Sequence, residues 1–135
     1  MLTQKKTSEK LDQYQHENNM WIRLLEFHKQ ENNHLKHRLT EVVDKSSDKT
    51  FLAHAEHFQN QFIIKDEFMD ELKHEVNVQL RTIKDYQERD LESNIFSKNF
   101  TEVQSNLRDQ IKYLEKDFSS LRNEFHEYLT KQTWS

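Results

Sequence analysis

Neither glycine nor proline occurs anywhere in the 135 residues of this chain. An average sequence of that length would carry about sixteen of the two together. Tight hairpins and phosphate-cradling loops use glycine at positive φ, and turns lean on both residues. Inside a helix these are also the two most costly residues. A chain that lacks both is suited to long helices joined by few turns.

Apolar and charged residues each make up 33% of the chain. So little apolar surface fits either a disordered chain or a helical assembly with much surface per residue. Nine Phe, four Tyr and two Trp favour the second, because disordered chains are poor in aromatics.

The spacing of these residues defines three helices. Along the first, Leu11, Tyr14, Asn18, Trp21, Leu25, His28, Asn32, Leu35, Leu39 and Val42 alternate in steps of three and four. That is one helical face, a seam for other helices. Met20, Leu24 and Phe27 widen it, as a bundle of three or more helices requires. Thr7 or Ser8 is the expected cap. The pattern stops at Asp44–Thr50, where Ser and Asp favour caps over helix interiors, and Asp48 or Ser47 is placed to start the next helix.

The second seam runs through Phe51, Ala55, Phe58, Phe62, Lys65, Met69, Leu72, Val76, Gln79, Ile83 and Tyr86. A weakly apolar stretch, Gln87–Asn94, marks the second boundary, with Asp90 or Ser93 as cap. The third seam is Phe96, Phe100, Val103, Leu107, Ile111, Leu114, Phe118, Leu121, Phe125 and Tyr128. Two successive steps of four, across Val103, Leu107 and Ile111, read as a stutter. The expected fold is all-α: an elongated, coiled-coil-like, antiparallel three-helix bundle running up-down-up. It forms one domain over 1–135, with helices near 8–45, 49–88 and 93–132.

Polar residues on or beside an apolar seam are the informative exceptions. With turns centred near 47 and 90, residues equidistant from a turn share a height. His28, Asn32, Gln59, Asp66 and Glu115 then form one interior polar layer. Burying such groups unpaired would cost about 2 kcal/mol or more each, so they should bond to one another or to water. The layer reads as a device fixing helix register, with a ligand, proton or metal site as the alternative.

Several functions are disfavoured. Net charge is −4 with both signs interspersed, so no basic stripe offers itself to nucleic acid or to a membrane surface. No run approaches the ~18 apolar residues that span a bilayer. Cysteine is absent, and the N-terminus lacks the apolar core of a secretory signal, so a cytoplasmic location is expected. Two Glu-x-x-His pairs, Glu31/His34 and Glu71/His74, have the spacing of carboxylate-bridged metal sites. Their distances from the first turn differ by about ten residues, roughly 15 Å of helical rise, too far for one site. The His-x-x-His pairs His34/His37 and His54/His57, with His126, offer at most weak metal binding. No metal, cofactor or catalysis is expected.

What is expected is a protein–protein interaction or structural module, working through apolar strips outside the seams. The candidate strips are Met20, Leu24 and Phe27 on the first helix, and Ile64, Phe68 and Val78 on the second. Trp134 is a further candidate. The partner is another protein or a second copy. The rival reading is a metal- or small-ligand-binding bundle built on His28, Asp66 and Glu115.

Overall fold

The steps of three and four do produce helices, and in the computed structural model of the chain they are α1 (Leu2–Asp44), α2 (Lys49–Arg89) and α3 (Lys98–Thr133). The structure describes residues 2–89 and 98–133, with side chains over 9–88 and 99–131. The helices form an all-α, antiparallel, up-down-up three-helix bundle with contacts of α2 to both α1 and α3. The second turn, the caps proposed at Asp90 and Ser93, the seam residue Phe96 and Trp134 lie outside the described residues.

α1 begins at Leu2, so Thr7 and Ser8 lie inside it and do not start it. With neither glycine nor proline upstream, nothing stops the helix from extending past them. α1 ends where the seam ends. The amides of Lys45 and Ser46 bond back to the carbonyls of Val42 and Val43, a tightened last turn that satisfies two orphan acceptors. Asp48 then caps α2. Its carboxylate accepts from the Thr50 amide at 3.0 Å, and its carbonyl accepts the first intrahelical bond from Leu52. Of the two candidates, Asp48 and Ser47, Asp48 is the cap. No basic residue occupies the last turn of α1 and no acidic residue the first turn of any helix. Side-chain charge complements a helix dipole at only two described ends, Asp48 at the start of α2 and Lys131 in the last turn of α3, and the helices depend mainly on packing.

The chain divides into two compact units. The first comprises Met1–Glu26 and Glu71–Lys112. Its apolar centre includes Leu11, Ile83 and Phe100, with Tyr14 and Tyr86 packed against them. The second comprises Phe27–Asp70 and Tyr113–Ser135 and is aromatic. Phe62 stands perpendicular to Phe125 at 5.1 Å, and Phe58 meets Phe125 at 5.3 Å and Tyr128 at 5.0 Å. Tyr128 stacks on Phe51 at 5.0 Å and donates its hydroxyl to the Phe51 carbonyl at 2.7 Å. Such ring pairs add about 0.5–1.5 kcal/mol each beyond their buried area.

One feature of α3 differs from the pattern of its apolar residues. Burial runs Phe100, Gln104, Leu107, Ile111, Leu114, Phe118, Leu121, Phe125 and Tyr128, an unbroken alternation of four and three. Gln104, not Val103, takes the core position, and Val103 is half-buried. The expected stutter is therefore absent from the buried face of α3. Val103 is apolar, but the step of four from Phe100 puts Gln104 on the core face in its place.

Two expectations follow. Asp48→Ala should lower stability by about 1 kcal/mol in chemical denaturation, with helicity retained. Tyr128 has its hydroxyl pKa pushed up to about 12, by burial first and by the charge of Asp48 second. A raised pKa means the folded chain holds the proton more tightly than the unfolded one. The contribution is therefore intact below 10 and is lost as pH rises towards about 12. Tyr128→Phe should remove this alkaline loss at a cost of about 1 kcal/mol at neutral pH. Tyrosinate absorbance followed beside circular dichroism checks both.

Candidate functional site

Each unit carries a buried polar layer, and in both an asparagine of α1 leads it. In the first unit Asn18, Gln79 and Gln104 supply one amide from each helix, all three buried. The Gln104 carbonyl oxygen accepts from Asn18 at 2.9 Å and from Gln79 at 3.1 Å. Asn18 also donates to the Tyr14 carbonyl at 2.7 Å. The Gln104 amide nitrogen donates to Glu17 at 2.7 Å, and Glu17 is gripped by Arg108 through Nε at 2.9 Å and Nη2 at 2.7 Å. Two parallel bonds from a guanidinium are the strongest form of such a pair. Burial pushes the Glu17 carboxyl up, but the hydrogen bonds from Arg108 and Gln104 outweigh it and hold it below its ordinary value.

In the second unit Asn32 is fully buried. Its amide nitrogen donates to the Phe62 carbonyl at 2.9 Å and to Asp66 at 2.8 Å. Lys36 pairs with the other Asp66 oxygen. Burial raises the Asp66 carboxyl, and the bonds from Lys36 and Asn32 bring it below the usual carboxylate range. Arg122 donates to Glu31 at 2.7 Å. Lys65, the one lysine on the second seam, lays its stem along the core and reaches Asp117.

His28 differs from its neighbours. It is half-buried, with its ring edge-on to Phe118 at 5.5 Å and to Phe27 at 5.7 Å. Both of its ring nitrogens are buried with no hydrogen-bond partner among the described residues, and so are Oε2 of Glu31 and Oδ1 of Asn32. Burial pushes the His28 pKa down. The carboxylates of Glu115 and Glu31 oppose that, and Arg122 adds to it. The arrangement thus holds a neutral imidazole beside carboxylates. Its chemical capacity is to take up a proton at a structural cost.

Of the five residues expected in one layer, the structure joins Asn32 directly to Asp66. His28 shares their unit but bonds to neither, because Asp66 is level with Asn32 and Lys36, one helical turn from His28. Lys29 paired with Asp70 shows the same register, with equal heights centred near residue 49 and not 47. Gln59 and Glu115 are exposed. Each follows a buried seam residue, Phe58 and Leu114, and a step of about 100° turns it off the core face. Glu115 reaches His28 through its charge alone.

Met20, Phe27, Ile64 and Val78 are exposed, and Leu24 and Phe68 are half-buried. Among the described residues no group of three or more His, Asp or Glu side chains is placed to hold a metal ion. Glu31 is engaged by Arg122, and His34, Glu71 and His74 are exposed. No described helix is long and apolar enough to cross a membrane. Comparison with protein-family models, curated proteins and solved structures found no match to this chain.

Replacing His28 tests the cost of its unpartnered nitrogens. A lowered histidine pKa means the unfolded chain binds the proton first. Stability should therefore fall as pH drops below 6.5. Asp66 and Glu17 add a separate loss only below their ordinary values of 3.8 and 4.5. His28→Leu should raise stability by about 1–2 kcal/mol at neutral pH. It should also flatten the change just below 6.5 while leaving the more acidic loss in place. Urea melts across that range read both effects.

Proposed function

We propose that this chain is a non-catalytic helical-bundle module that binds another protein through apolar helix faces left outside its core. The observation that carries the reading is on α2 in the second unit. Ile63 is 43% and Ile64 49% exposed, and Phe68, one turn on from Ile64, is half-buried. On α1 of the same unit Phe27 is 61% exposed. A chain with only 33% apolar residues leaves these large side chains in contact with water. Single exposed apolar residues are ordinary, but a stripe at i and i+4 is the pattern by which a helix docks in a groove or receives a partner helix. Full burial of such a side chain is worth about 1.5–3 kcal/mol, and covering the exposed half of Ile63 or Ile64 gains roughly half of that, so the strip serves as the centre of a larger contact.

Ile64→Glu tests this. Being exposed, the position tolerates the change, and helicity should be unchanged. Crosslinking in the source cell, followed by mass spectrometry, should recover a partner joined near Ile64 with the native chain. Recovery should fall at least tenfold with the variant. Equal recovery from both, or no partner from the native chain, would remove this face as a binding surface.

A further inference from the structure

The two buried polar layers share one pattern, shifted by fourteen residues along α1 and along α3. In the first unit Tyr14, Glu17, Asn18, Gln104 and Arg108 supply it. The residues fourteen places on are His28, Glu31, Asn32, Phe118 and Arg122. The pair of α1 glutamate and α3 arginine is kept, at 2.7 Å in each unit. The amide donor is not. Gln104 Nε2 donates to Glu17 at 2.7 Å, whereas Phe118 has nothing to donate.

In the second unit Glu31 Oε1 accepts from Arg122, and Oε2 is buried without a donor. Asn32 Oδ1 is a second buried acceptor without one among the described residues. His28, one turn earlier on the same helix, has both ring nitrogens buried and unpartnered. Residues three and four apart on a helix are neighbours, so ring and acceptors lie within mutual reach. The ring instead stands edge-on to Phe118 at 5.5 Å. A proton added to it makes both nitrogens donors, and the Phe118 side chain holds no acceptor for either. We infer that His28 is a proton-operated switch: on protonation its ring leaves Phe118 and donates to Glu31 Oε2, serving Glu31 as Gln104 serves Glu17.

The charged groups that act on His28 are Glu115 and Arg122 from α3 and Glu31 from α1, and among the described residues α2 supplies none. Glu115 is exposed, so its carboxylate is hydrated and gains little from a new donor. Glu31 Oε2 is buried and gains more. Arg122 holds the other Glu31 oxygen, so the carboxylate stays and the ring moves. A carboxylate accepts both donors at once. The ring still gives up its aromatic contact, so the new bond limits the acid loss of stability without reversing it.

Nuclear magnetic resonance on the isotope-labelled full chain tests this, with His28→Leu identifying the ring signals. Between about pH 8 and about pH 5, contacts from the His28 ring to Phe118 should disappear and contacts to the Glu31 side chain should appear, with helicity retained. Glu31→Gln should abolish the move and make His28 titrate at lower pH than in the native chain. Glu115→Gln should also lower that titration but leave the move intact. If Glu31→Gln fails to fold, Glu115→Gln decides the matter through the same ring contacts. A protonated ring that keeps its Phe118 contacts overturns the inference, and so does a move that Glu115→Gln abolishes. A chain that unfolds before the ring titrates overturns it as well.

Discussion

The fold rests on one constraint, that every seventh residue of each helix returns to the same buried position. On α1 the series Leu11, Asn18, Leu25, Asn32 and Leu39 keeps it, and on α3 Gln104, Ile111, Phe118 and Phe125 keep it too. Local helix signals are modest here, with charge at the described helix ends confined to Asp48 and Lys131. Cooperative burial along these series is therefore what holds the helices. Strictness has a consequence. Once apolar neighbours fix the phase, whatever residue occupies the next position is buried with them, polar or not. Asn18, Asn32, Gln79 and Gln104 are inside for that reason.

The amides that this places inside are not equally served. In the first unit the Gln104 oxygen accepts two hydrogen bonds and its nitrogen reaches a carboxylate held by arginine. A slide of one helix by a turn would face these amides with apolar or aromatic side chains such as Trp21, Ile83 and Leu107 and leave them unbonded, at about 1–3 kcal/mol apiece. The layer thus discriminates against wrong registers more than it adds to the stability of the right one. One buried acceptor there, Asn18 Oδ1, has no partner among the described residues. The second unit leaves more unsatisfied: Asn32 and Asp66 bond, while both His28 nitrogens, Glu31 Oε2 and Asn32 Oδ1 have none. That unit draws its stability from the phenylalanines and Tyr128, and can carry an unsatisfied histidine.

The architecture was legible in the sequence because apolar side chains sample the heptad densely enough to show it, and because Asp44–Thr50 breaks it once with clear cap chemistry. Asn18 and Gln79 also lay visibly on the seams. Gln104 did not, because Val103 beside it supplied an apolar residue at a nearly acceptable step. Counting back seven from Ile111 and fourteen from Phe118 would have found it. A second signal was available: Glu17-Asn18 recurs two heptads later as Glu31-Asn32, and Arg108 likewise as Arg122. The contacts of both sets, each within its own unit, repeat the pairing of α1 glutamate with α3 arginine. Register between helices was less legible. It depends on where the turn's residues are spent, and a shift of one helical turn separates His28 from Asp66 without altering the apolar pattern of either helix.

The distribution of charge bears on how such a chain binds. Its ion pairs line the flanks where helices meet: Lys29 with Asp70, Lys36 with Asp66, Arg108 with Glu17 and Arg122 with Glu31. Partly exposed pairs of this kind are each worth about 1 kcal/mol or less, so their main effect is on what may approach. A flank closed by alternating charges offers an incoming helix little apolar area and several groups to desolvate. A groove between α2 and α3 of the first unit has one such charged residue, Glu75, among the described residues that line it, and so asks for less desolvation. With net charge only −4 and both signs interspersed, long-range steering is weak as well. For the partner binding proposed above, contact area after encounter then decides affinity, which places specificity in dissociation rates.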